Sequence, residues 1–95
     1  MIISKESKIP QLYAQEEASE PLVYVSVCIG SAFWLLTEYD KEKKLAFGYA
    51  QLFPRGGELG YVSIEELEDM IDAYGGNIVN YDKPRKLSEL KQEFE

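Results

Sequence analysis

Four carboxylates, Glu65, Glu68, Asp69 and Asp72, stand at i, i+3, i+4 and i+7. That spacing gathers side chains into one stripe along a helix. Between Glu58 and Gly76 there are six acidic residues, Glu58 and Glu66 being the other two, and no Lys or Arg. The like-charged pairs Glu65/Asp69 and Glu68/Asp72 each disfavour an isolated helix by about 0.2–0.5 kcal/mol. Glu65 and Glu66 recover part of this at the positive N-terminal end, whereas Asp72 lies toward the negative end. Folding of the helix does not call for such a stripe. A basic protein partner would, with Glu58 close by as an addition to the surface. A solvated face kept charged for solubility explains the same residues. A sharper version of the partner reading is a nucleic-acid mimic that inhibits a DNA-binding or host-defence protein. Helical neighbours are roughly 5–6 Å apart, the same order as successive phosphates.

Glu38 and Asp40 form a second acidic pair, two residues apart and so on one face of a strand. Paired carboxylates can run acid–base chemistry, as in glycoside hydrolysis. A small-ligand binder or enzyme using Glu38/Asp40 is therefore an alternative. The plainer reading is a solvated strand end leading into a charged hairpin loop. The chain has no histidine and one cysteine. This removes the commonest acid–base group, the Ser-His and Cys-His nucleophile pairs and a structural zinc site. "RGGELG" lacks the spacing and lysine of a phosphate-binding loop, and no calcium-loop motif is present. Cys28 has no cation nearby in sequence to activate it and reads as a small apolar residue in a strand. These observations predict a protein that is not an enzyme and carries no cofactor and no metal.

Ninety-five residues suffice for a single domain, 1–95, with one modest core. Ten Lys and Arg against seventeen Asp and Glu give a net charge of −7. General nucleic-acid binding and attachment to an anionic membrane are disfavoured by that sign. A lone cysteine suits a reducing compartment, and no stretch resembles a signal peptide or a membrane span, so a cytoplasmic location is expected.

The elements that must position these groups follow from periodicity. "LVYVSVCI" (Leu22 to Ile29) alternates, with Val23, Val25, Val27 and Ile29 on one face. Gly30-Ser31 turns the chain into a second strand, Phe33 to Asp40. A charged hairpin loop, Asp40 to Lys44, leads into a third strand, Leu45 to Phe53. Gly48 within it predicts a bulge or close backbone approach. "PRGG" (Pro54 to Gly57) is the next turn, before a fourth strand, Glu58 to Ser63. Ser63 and Glu66 fit a capping box, and Ile64, Leu67, Met70, Ile71 and Tyr74 form the expected buried stripe, ended by Gly75-Gly76. Asn77 to Asp82 reads as an edge-like fifth strand, and Ser88 as the cap of a short terminal helix with Leu90 and Phe94. Ser4 to Lys8 can form one helical turn, Ile9, Leu12 and Tyr13 are expected to anchor this arm, and Gln15 to Pro21 reads as a loop. The aromatics Tyr24, Trp34, Phe47 and Tyr49 read as core beneath the main helix, rather than as a stacking platform for bases. The fold class is α+β: an antiparallel β-meander of four to five strands, one main amphipathic helix packed on it, and a short C-terminal helix. An exposed edge strand could pair two copies into a homodimer.

Five segments in order, "IPQLYAQE" (Ile9 to Glu16), "WLLTEYD" (Trp34 to Asp40), "AFGYAQ" (Ala46 to Gln51), "ELGYVSIEELE" (Glu58 to Glu68) and "LSELK" (Leu87 to Lys91), carry a family resemblance. The chain resembles a short bacterial family of unknown function carried on plasmids, phages and other mobile elements. Departures lie in "IVNYDKPRK" (Ile78 to Lys86), which lacks the family's Glu-Arg pair, and in the Trp-rich strand, which keeps Trp34 alone. The resemblance implies an accessory protein of a mobile element and brings no catalytic residues with it.

Overall fold

The computed structural model describes residues 2–52 and 56–94. Five strands form one sheet: β1 (Leu22–Ile29), β2 (Ala32–Asp40), β3 (Leu45–Gln51), β4 (Glu58–Ser63) and β5 (Asn77–Lys86). Helix α1 (Ile64–Tyr74) links β4 to β5, and α2 (Leu87–Phe94) follows β5. The strand order is β4-β3-β2-β1-β5, and every neighbouring pair is antiparallel. Consecutive strands joined by short loops make the meander, as expected, and α1 carries the chain across the sheet so that β5 docks beside β1. Phe53, assigned to the third strand, and Pro54 and Arg55 of the adjoining turn lie outside the described residues.

Both faces of the sheet are covered. One face packs Val25, Val27, Trp34, Leu36 and Ala46 against Ile64 and Leu67 of α1 and against Ile2 and Ile3. The other packs Val23, Phe33, Leu35 and Tyr49 against Leu87 and Leu90 of α2. Trp34 and Tyr49 thus lie on opposite faces, so the four strand aromatics share no open platform.

Two irregularities decide which residue faces which way. In β2 the register shifts between Leu36, opposite Gly48, and Glu38, opposite Phe47. Thr37 is the extra residue, and its Oγ1 donates to the Phe47 carbonyl at 3.1 Å. A bulge re-aims the side chains that follow it. Strict alternation would place Glu38 with Trp34 and Leu36. The bulge instead sets it beside Phe47, on the opposite face. Gly48 is the counterpart: a Cβ there would sit 2.1 Å from the Leu35 carbonyl oxygen. In β1 the register with β5 shifts between Val23 and Val25. Val23 therefore joins the α2 cluster, not the face it was expected to share with Val25, Val27 and Ile29.

Helix α1 begins at the expected cap, with one half of the capping box formed. Ser63 caps it, its Oγ accepting from the Glu66 N–H at 3.3 Å, and Gly75 ends it at φ 77°. It leaves β4 where Ser63 pairs with Leu45 and arrives where Asn77 pairs with Cys28. Eleven residues span about 16 Å at 1.5 Å each. The sheet is about 19 Å wide from β4 to β5. The helix thus crosses most of the sheet, and Tyr74 lies on its last turn. It is 79% exposed, not part of the buried stripe, which consists of Ile64 and Leu67 with Met70 and Ile71 half-buried.

The fifth strand runs four residues beyond its expected end, through Pro84 to Lys86. Proline is tolerated there because β5 is an edge strand and the stretch from Tyr81 to Pro84 bulges out of register. Ser88 lies inside α2 and does not cap it from outside. Glu20, from the segment before β1, accepts from the Ser88 hydroxyl at 2.5 Å and from its N–H at 3.3 Å. These bonds hold the Glu20 carboxyl below its usual range.

Candidate functional site

Two acidic regions are built from these elements, on opposite sides of the sheet. The first is the solvent side of α1. Glu65, Asp69 and Asp72 are exposed and Glu68 is half-buried. Together with Lys44, Ile71, Ile78 and Ile2 they line a shallow depression of about 440 Å³. Lys44 Nζ stands 4.0 Å from Glu65 Oε1, a surface pair of small energetic weight. Glu68 acts inward as well: burial, Glu68 and Asp40 together push the Tyr39 hydroxyl up. Glu58 does not join this surface. It pairs with Ala50 at the start of β4, five residues from the cap, or about 16 Å along the strand.

The second region surrounds Glu38, and here the structure departs most from expectation. Glu38 is 4% exposed, not a solvated strand end. Its Oε1 accepts from the Tyr13 N–H at 2.7 Å and its Oε2 from the Gln15 N–H at 2.7 Å. Gln15 continues the clamp, donating from Nε2 to the carbonyls of Thr37 (2.9 Å) and Leu22 (3.0 Å) and accepting from the Leu22 N–H at 2.6 Å. Tyr39 N–H donates to the Pro10 carbonyl at 2.9 Å. The stretch from Pro10 to Gln15 is thereby fastened to β2 by polar bonds rather than by apolar anchors. Of the expected anchors, Ile9 packs on the α1 cluster, Leu12 is half-buried and Tyr13 is 61% exposed.

Tyr13 occupies the left-handed region at φ 72°, which costs a non-glycine residue roughly 1–2 kcal/mol. Its N–H bond to Glu38 and its hydroxyl contact with Tyr61, 2.9 Å between oxygens, hold it there. Tyr61 meets Phe47 edge-to-face at 5.3 Å between centroids and 69° between planes. These rings, with Leu59, Thr37, Glu16 and Glu38, enclose a groove of about 270 Å³. The hydroxyl of Tyr61 is pushed up, first by its bond to Tyr13, then by burial and by the negative charges nearby, Glu16 and Glu38 among them.

Asp40 serves its hairpin, accepting at Oδ1 from the N–H groups of Glu42 (3.0 Å) and Lys43 (3.2 Å). It lines a separate, wider depression of about 860 Å³ that also touches Tyr13 and Tyr61, whereas Glu38 lines the smaller groove. The two carboxylates share a face of β2, as expected, yet open into different concavities, each already bonded to backbone. Among the described residues no three Cys, Asp or Glu side chains converge to hold a metal ion. Among the described residues no helix is long and apolar enough to cross a membrane. Burial pushes the Cys28 thiol up, against a reactive thiolate.

Sequence reasoning missed the groove. Its parts come from segments far apart, Tyr13, Glu38, Phe47 and Tyr61, and nothing local joins them. Each sits inside a segment that carries the resemblance described above. Residues 3–89, nearly the whole chain, match the family described as "Protein of unknown function (DUF2958)". Neither a curated protein nor a solved structure matches the chain.

Proposed function

We propose that this chain, a member of the DUF2958 family, is a non-enzymatic accessory protein that binds a basic protein partner through α1. The observation that carries this reading is the exposure of Glu65, Asp69 and Asp72 along a helix face that no described lysine covers beyond Lys44, at 4.0 Å from Glu65. Charges so placed contribute little to folding and much to encounter with a cationic surface. The engagement of Glu38 and Asp40 in backbone bonds supports a binding role over two-acid catalysis. Service to a mobile genetic element, in a bacterial cytoplasm, rests on the resemblance of the quoted segments.

The test is affinity capture from a lysate of the source cell, with wild type and with Glu65→Lys/Asp69→Lys/Asp72→Lys. Glu68 is left intact because it also acts on Tyr39. A partner held by wild type and lost by the variant supports the reading. A partner held equally by both contradicts it. Release of that partner by DNA would favour the nucleic-acid-mimic version.

A further inference from the structure

We propose that the groove between the Tyr13 segment and strands β3 and β4 is a binding site for one cationic side chain, an arginine or lysine of a partner polypeptide. The site lies on the face opposite α1 and does not depend on the acidic helix.

Three features of the groove fit a cation. Its walls are aromatic faces and edges, Tyr13, Phe47 and Tyr61, with the rings held by the Tyr13–Tyr61 hydroxyl contact and the edge-to-face pair. Such rings attract ammonium and guanidinium groups. Its buried side is the Glu38 carboxylate, bonded to two backbone N–H groups. Among the described residues no Lys or Arg forms an ion pair with Glu38. A buried charge is ordinarily paired, and an ionised carboxylate has about four acceptor positions, of which Glu38 uses two. Glu16 adds a second negative charge at the groove.

Size narrows the occupant. At about 270 Å³ the groove is smaller than the usual range of roughly 300–1,000 Å³ for small-molecule sites. It has room for a single extended side chain. The surrounding surface suits a polypeptide: Leu59 and Tyr61, each 53% exposed, lie on β4, whose outer edge has no neighbouring strand in the sheet. An extended segment can lie along such an edge and place one side chain inward.

The experiment is a two-dimensional amide NMR titration of the full chain with a capped Gly-Arg-Gly peptide and with the same peptide carrying citrulline, which is neutral and nearly isosteric. The proposal expects saturable shifts at the Tyr13 and Gln15 amides, which donate to Glu38, with the arginine peptide alone. Tyr61→Ala should weaken that binding about three- to fivefold, and Tyr61→Phe, which keeps the ring, should weaken it less. Glu38 is left unchanged because it holds the fold. The α1 variant Glu65→Lys/Asp69→Lys/Asp72→Lys should retain the shifts at Tyr13 and Gln15. Shifts confined to residues 65–72 would overturn the groove and leave the reading of α1 standing. Equal response to the citrulline peptide, or none to either, would overturn the groove as well.

Discussion

The solvent face of α1 and the groove beside Glu38 are both acidic, yet they use their carboxylates in opposite ways. On α1, Glu65, Asp69 and Asp72 stand in water, with Lys44 at 4.0 Å from Glu65. Beside the groove a single carboxylate, 4% exposed, receives two backbone N–H groups and fastens a segment that is otherwise half-exposed. The number of charges in a region thus says little about what they do. Environment sets the role: a solvated carboxylate is cheap to remove and open to a partner, and a buried one is built into the fold.

The contrast predicts a ranking of effects. The largest belongs to Gly48→Ala, on the order of 4 kcal/mol of lost stability, because the added methyl meets the Leu35 carbonyl at 2.1 Å. Denaturant unfolding would measure it, and an effect below about 1 kcal/mol would show that the bulge aiming Glu38 is easily remade. Next comes Glu38→Ala, about 3 kcal/mol, since the amides of Tyr13 and Gln15 lose a charged acceptor. Limited proteolysis should then cut between Pro10 and Gln15 faster than in the wild type, where these bonds hold the stretch to β2.

Smaller still is a pH effect at Tyr61. Its hydroxyl is held up mainly by Tyr13, so the neutral form is favoured in the folded state. The stabilisation is present below about pH 10, the ordinary tyrosine value. It is lost as pH rises through the higher folded value. Absorbance at tyrosinate wavelengths should show a late-titrating group that moves earlier in Tyr13→Phe; an unchanged curve would deny the contact. The smallest effect is on α1. Neutralising Glu65, Asp69 and Asp72 together should change stability by about 0.5 kcal/mol or less, toward greater stability at low salt, since like-charge repulsion is relieved. A loss above about 1 kcal/mol would mean that the stripe takes part in folding, and the contrast would fail.

Much of the fold was legible in the chain. Alternation gave β1 to β4, the Ser63 cap and Gly75-Gly76 bounded α1, and Gly48 announced a close backbone approach. What could not be read were the consequences of one extra residue. The bulge at Thr37 carries Glu38 to the other face, and the shift at Tyr24 carries Val23 with it, because side-chain period in a strand is two and a single insertion inverts it. Tyr74 keeps the helical period yet stands exposed on the last turn of α1. The acidic stripe was visible because it is local to one helix. The groove was not, because Tyr13, Glu38, Phe47 and Tyr61 come together only when the arm, β2, β3 and β4 are assembled.

The proposed role gives α1 its charge for a partner and not for the fold. Its most direct test is the amount of partner captured by Glu65→Lys/Asp69→Lys/Asp72→Lys relative to wild type, at equal protein concentration and with both shown folded by circular dichroism. Capture should fall at least tenfold, the scale expected when charges at a complementary interface are reversed. Capture equal to wild type by the folded variant would contradict it.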